Sequence, residues 1–234
     1  MLFNRANTEG DTVVAMLAAA LRRDISFGTL LPDQKLKIDA LRQRYGGSNH
    51  SMRETLRMLS AEGLVEATAQ RGFRVTSATQ EDLRDICLVR GEVEKIALTL
   101  ALKHGDTAWE GRVIAAHHAL RKAEEVVANA ADDLSALEWD EACRSFSATL
   151  ISGCGSPRLI DLHRKFFDQS RRFRLALLRE GHLDFKERRL RQAELLRTVL
   201  ARDHDGALAY LTQDIEAEFK KGKTPSTAII GRKT

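Results

Sequence analysis

Between Ser48 and Arg57 the chain places hydroxyl, amide, imidazole and guanidinium groups in one short stretch: Ser48, Asn49, His50, Ser51, Arg53 and Arg57. The set contains no nucleophile–base arrangement. It offers the donors and acceptors that suit phosphate oxygens and base edges. A second basic point, Arg71-Gly72, falls between two β-prone runs and suits a hairpin tip that enters an adjacent minor groove. Further on, Arg90 and Glu94 stand four residues apart, and Arg172 and Arg174 two apart. A guanidinium grips a carboxylate through two parallel N–H donors, so Arg90 is the first candidate for an anionic ligand and Arg172 and Arg174 are the next. Arg90 and Glu94 suit an internal ion pair at i, i+4 equally well.

These groups need elements that position them. Leu36–Tyr45 reads as a helix, Gly46-Gly47-Ser48 as a tight turn, and Asn49–Ala61 as a second helix ended by Gly63. Leu64–Thr68 and Phe73–Val75 read as the two strands of a hairpin. Gly46 and Gly47 can take the left-handed dihedrals of a sharp inter-helix turn. Ser48 and Ser51 both suit helix N-caps, and Ser51 to Glu54 has capping-box spacing. Met52, Leu56 and Leu59 form a buried helix stripe, which turns the polar groups outward. A short helix presented at its start, beside a basic wing, fits the DNA major groove. Val13–Leu21 superficially resembles a signal-peptide core, but it is too short to span a bilayer and is flanked by Glu9, Asp11, Arg22 and Arg23. It is expected to be the first helix, with Val13, Val14, Leu17, Leu21 and Ile25 as its core stripe; no membrane segment is expected.

After Ser77-Ala78-Thr79-Gln80 the pattern changes. Strand-like alternation disappears and six helices can be read: 81–103, 107–129, 133–152, 157–180, 184–202 and 205–221, with Asp205 as an N-cap. The expected fold is mainly α: a winged helix-turn-helix over 1–78, an antiparallel helical bundle over 79–223, and a flexible tail over 224–234. The 234 residues suffice for two cores, and 43% hydrophobic with 30% charged residues indicates a globular protein. Residues 1–78 hold 11 Lys/Arg and 8 Asp/Glu, a net +3; the remaining 156 hold 26 and 25, a net +1. The excess of positive charge therefore sits with the groups suited to phosphate. It is modest, so two copies are expected to act together. Three cysteines without CxxC spacing suit a reducing cytoplasm.

The N-terminal words resemble the winged-helix domain of the GntR family of bacterial transcription regulators. They are Gly28-Thr29-Leu30-Leu31-Pro32-Asp33, Leu41, Tyr45-Gly46, Arg53-Glu54-Thr55-Leu56, Leu59, Glu62-Gly63-Leu64-Val65 and Arg71-Gly72-Phe73-Arg74-Val75. The chain departs from the family at Asp33 (usually Gly), Asn49 (often Arg) and Ser51 (often Pro), which puts the operator sequence in question. The later words resemble the FadR-type effector domain of the same family: Arg90-Gly91-Glu92-Val93-Glu94, Trp109-Glu110 with His117-His118-Ala119-Leu120, Phe146, Gly155-Ser156-Pro157-Arg158-Leu159, and Arg202-Asp203 with Ala207. The resemblance implies a nucleoid-associated cytoplasmic homodimer that binds a double-stranded DNA operator. It also implies a bundle that takes a small carboxylate effector, with repression relieved when the effector binds.

Many members of that subgroup also hold a divalent metal. At the matching positions this chain has Cys143, Ser147, Leu195 and Asp214, and no imidazole. No metal or other cofactor is therefore expected. The vacated position would leave Ser147 as a donor to an effector, with Glu94, Cys143 and Asp214 beside it; a lining of Leu195, Cys143 and Phe146 would favour a less polar ligand. His117 and His118 diverge by about a third of a turn. His163, His182 and His204 are isolated and read as solvated or capping, and the Arg171–Arg174 cluster reads as partly solvated surface. No glycine-rich phosphate loop, HExxH or nucleophile elbow occurs, and Gly153-Cys154-Gly155 reads as a helix-ending turn. A regulator is expected and an enzyme is not. The alternative is a small-molecule-binding helical module with altered operator recognition.

Overall fold

In the computed structural model, residues 5–68, 72–130 and 132–220 are described, and they form two units that meet in sequence at Thr79 and Gln80. The first contains α1 (Arg5–Ser26), β1 (Lys35–Leu36), α2 (Ile38–Tyr45), α3 (Asn49–Ala61), β2 (Val65–Ala67) and β3 (Phe73–Val75). The strands form an antiparallel sheet in the order β1-β3-β2, with Leu36 opposite Phe73 and Val65 opposite Val75. Leu36 was expected to open a helix. It is a strand residue instead, because β3 offers it a ladder partner that no local pattern announces.

One face of each helix closes a core of Leu17, Leu21, Leu41, Met52, Leu56 and Leu59. The stripe on α1 is offset from its expected position: Val13 is 40% exposed, and Ala18 is fully buried against α3. Polar ties fix the helices to one another. The buried Asp24 accepts hydrogen bonds from the Tyr45 hydroxyl at 2.6 Å and from Arg44 at 2.8 Å, which secures α2 to α1. Arg22 donates to Glu62 at 2.7 Å, linking α1 to the end of α3.

The second unit contains α4 (Gln80–His104), α5 (Thr107–Asn129), α6 (Asp133–Ile151), a 3-10 turn (Ser152–Cys154), α7 (Pro157–Arg179), α8 (Phe185–Leu200) and α9 (His204–Lys220). Side chains cap most starts: Asp106 accepts from Trp109 N, Asp132 from Ser135 N, Asp184 from Glu187 N and Asp203 from Gly206 N. Asp203, not Asp205, therefore caps α9. Arg202 takes φ +55° after α8, and its guanidinium donates to the carbonyls of Leu102 at 2.7 Å and Gly105 at 2.8 Å. It thus ties the α8–α9 turn to the end of α4. Around Trp109 and Trp139, α4 packs on α7 and α9, α5 on α6 and α8, and α8 on α9.

The turn before α3 depends on glycine. Gly46 sits at φ 79°, ψ −162°, a conformation that only glycine adopts without strain. Gly46→Ala should destabilise the first unit by about 1–3 kcal/mol, read as a lower denaturant midpoint of the full chain's first unfolding transition.

Candidate functional site

The start of α3 faces outward. Ser48 caps it, accepting from Ser51 N at 3.0 Å, while Ser51 Oγ accepts from Ser48 N at 2.9 Å. Ser51 is therefore neither the cap nor an exposed contact: it lies at the third helical position, buried and engaged, because the reciprocal box turns its hydroxyl back on the loop. Ser48, Asn49, His50, Arg53 and Arg57 are exposed. Arg57 pairs with Glu54 one turn back. Arg42 of α2 donates to Asn49 Oδ1 and to Gly47 O, both at 3.3 Å, and so brings a cation to the helix start. Together with the partial positive charge of the helix N-terminus, this face suits phosphate and base edges. Arg71 lies outside the described residues; Gly72 is half-buried next to β3.

In the second unit, five helices line a small cavity, α7 contributing Phe167. Its lining includes Arg90 and Glu94 from α4, Cys143, Phe146 and Ser147 from α6, Arg188, Gln192 and Leu195 from α8, and Asp214 and Glu218 from α9. Arg172 and Arg174 are not among the lining residues. Arg174 is 2% exposed rather than solvated: it bonds Asp140 at 2.9 Å and Phe167 O at 3.1 Å. Arg172 lies over the Phe173 ring at 5.1 Å.

The cavity measures about 20 Å³, room for about one water molecule. It is small because its charged walls grip one another. Arg90 donates to both Glu218 oxygens at 2.9 and 3.2 Å and to Ser170 Oγ at 3.1 Å, and its Nε lies 3.0 Å from Glu94 Oε1. Glu94 is also held by His163 Nδ1 at 3.0 Å and by the Ser147 hydroxyl at 3.3 Å. Arg90 is thus not a vacant anion receptor; the internal pair with Glu94 forms, and Glu218 completes it. His163, expected at the surface, is 1% exposed because Glu94 gives its ring a buried partner. Burial, the largest influence, pushes the Glu94 and Glu218 carboxyls upward, but Arg90 together with His163 at Glu94, and with Arg174 and Arg188 at Glu218, outweighs it, so both lie below the ordinary carboxylate range.

Arg188 supplies a second buried cation. It donates to Glu124 at 3.1 Å and to Cys143 Sγ at 3.3 Å and lies 5.5 Å from the Trp139 ring centre. With its carboxamide oxygen turned inward, Gln192 accepts from it at 2.9 and 3.1 Å. Asp214 sits near Arg191, at 3.6 Å.

Residues 14–75 match the bacterial regulatory proteins of the gntR family, and residues 85–217 match the FCD domain. The HTH-type transcriptional repressor GlaR of Escherichia coli (strain K12) is 33% identical over 198 residues, covering 83% of this chain and 89% of that protein. The chain belongs to the GntR family, with an FCD domain as its second unit. The HTH-type transcriptional regulator BphR of Paraburkholderia xenovorans (strain LB400) is 38% identical over 58% of the chain and 55% of its own length. A GntR regulator from Rhodococcus sp. RHA1 shares the fold with a TM-score of 0.68 at 22% identity, over 89% of this chain and 96% of that one. The McbR/YncC protein of E. coli aligns with a TM-score of 0.67 at 19% identity, over 87% and 93%. Family and relatives are transcription regulators, not enzymes.

The donor set at the FCD metal position does not fit a metal. Burial pushes the Cys143 thiol up to about 12, so it is protonated at neutral pH, and its sulfur already accepts from Arg188. Ser147 donates to Glu94, and Leu195 has no donor atom. Only the Asp214 carboxylate is left at these positions. The positive charge beside Cys143 is supplied by the Arg188 guanidinium.

Arg188, Gln192, Glu218, Ser170 and Arg42 were not singled out from the sequence. Arg188 lies in Glu187-Arg188-Arg189-Leu190-Arg191, which reads as a solvated helix face, and Glu218 lies in a similar acidic stretch. No local signal marks either. Arg90→Ala should leave Glu94 and Glu218 buried without their cation and cost about 3–5 kcal/mol, seen as a lower thermal midpoint. It is therefore not the clean loss-of-response variant that an exposed receptor would give. Zinc or nickel added to chelator-treated protein should leave that midpoint unchanged.

Proposed function

We propose that this GntR-family regulator is a metabolite-responsive repressor that binds a near-palindromic operator as a homodimer and releases it when a small organic acid enters the FCD cavity. The observation that carries the reading is the capped, outward-facing start of α3, where Asn49, His50 and Arg53 stand exposed with Arg42 beside them. A repressor relative covering most of the chain supports the sign of regulation. Leu88 and Ile96, 65% and 53% exposed on α4, support pairing through the helical unit. A pair of modules also compensates for the small net charge of one. A carboxylate effector follows from the guanidiniums that line the cavity.

Effector binding is read as shifting α4, which carries Arg90 and follows the first unit without an intervening element. The expected operation is cytoplasmic. Because Ser51 is committed to the capping box, base reading falls to Asn49, His50 and Arg53.

The test is fluorescence anisotropy on duplex from the promoter beside the protein's own gene. Arg53→Ala should weaken specific binding about 10- to 100-fold, equivalent to about 1–3 kcal/mol, and leave thermal unfolding unchanged because the side chain is exposed. Wild-type binding without salt dependence or preference over random duplex would instead leave a helical ligand-binding module with altered operator recognition.

A further inference from the structure

We infer that the FCD cavity is a carboxylate site already filled from within: the Glu218 carboxylate on α9 holds the place on Arg90 that the carboxylate of an external ligand takes when it binds. The inference deepens the effector reading above by naming how the ligand is admitted.

The contact has the form of a ligand contact. Arg90 presents two nitrogens to two oxygens at 2.9 and 3.2 Å, the forked geometry by which guanidinium recognises a free carboxylate. The cradle around that carboxylate belongs to other helices. Ser170 of α7 bonds the same Arg90 nitrogen, the Phe167 ring centre lies 5.1 Å from the guanidinium carbon, and Glu94 of α4 steadies Nε. Among these groups around Arg90 only Glu218 comes from α9, so its withdrawal leaves the others in place.

Glu218 holds Arg90 through its side chain alone, so turning that side chain out of the cavity releases the guanidinium. One and two turns earlier, Ile215 and Leu211 are buried and hold α9 in place.

Exchange keeps the charge of the cavity constant. Arg90 trades one carboxylate for another and is never left buried without a counter-ion, while Glu218 regains hydration. In the closed state only about 20 Å³ is free, so a ligand has room only where Glu218 withdraws. The space that Glu218 gives up therefore sets the ligand: a carboxylate on a short, mostly apolar body, lying beside Phe146, Leu195 and Leu211.

The experiment is thermal unfolding of the full chain, as wild type, Glu218→Ala and Glu218→Gln, in rising sodium propionate against sodium chloride at matched ionic strength. Glu218→Ala should unfold at a lower temperature than wild type and regain about 3–6 °C at tenfold excess of propionate over its dissociation constant. Glu218→Gln, which keeps the side chain's shape, should show the same saturable gain if the alanine variant fails to fold. Wild type should need at least tenfold more propionate, because its own carboxylate competes. A propionate effect on the variants no larger than on wild type, or no larger than that of chloride, overturns the inference. The readout contains no DNA, so loss of operator binding would sink the regulator reading and leave this one standing.

Discussion

A guanidinium buried among helices has to be matched by a carboxylate from another helix, and the second unit is built around three such matches. Arg90 of α4 meets Glu218 of α9, Arg174 of α7 meets Asp140 of α6, and Arg188 of α8 meets Glu124 of α5. Each of the six helices enters one of these pairs. Desolvating the charges offsets much of their attraction, so the pairs add little net stability over apolar packing. They do set register: sliding one helix by a residue would leave a charge in the interior without its partner. The apolar stripes alone tolerate more sliding, because Leu and Ala positions are nearly interchangeable along them.

The first unit handles its polar groups in the opposite way. Among its described residues the buried polar groups are engaged close to home: Ser51 closes the capping box, and Asp24 holds Arg44 and Tyr45 at the α1–α2 contact. The groups with free hydrogen-bonding character are pushed to the start of α3. That division suits a surface that has to meet phosphates and bases in water, where a side chain fixed inside its own protein could not reach out.

The departure from the metal-bearing pattern also makes physical sense. A metal and a guanidinium both place positive charge beside a carboxylate, but only the metal needs deprotonated thiol or imidazole ligands. Once Arg188 fills the space beside Cys143, the thiol can stay neutral as a hydrogen-bond acceptor and Leu195 can be aliphatic without stranding a charge. Closure of the cavity is then a consequence of charge pairing across it.

Much of this was legible in the order of residues. The double glycine, the serine cap, the stripe Met52–Leu56–Leu59 and the uninterrupted helical pattern after Thr79 are local signals, because caps, turns and amphipathic faces depend on neighbours a few residues away. The family words extended that reading to an FCD bundle. Tertiary structure alone decided that Leu36 pairs as a strand and that His163 is buried. It also decided that Arg90 is claimed by a carboxylate 128 residues later. Charge in a sequence carries no sign of its partner: Arg188 and Glu218 sit in stretches that resemble any solvated helix face, and only the packing of α8 and α9 on their neighbours turns those side chains into the wall of a cavity.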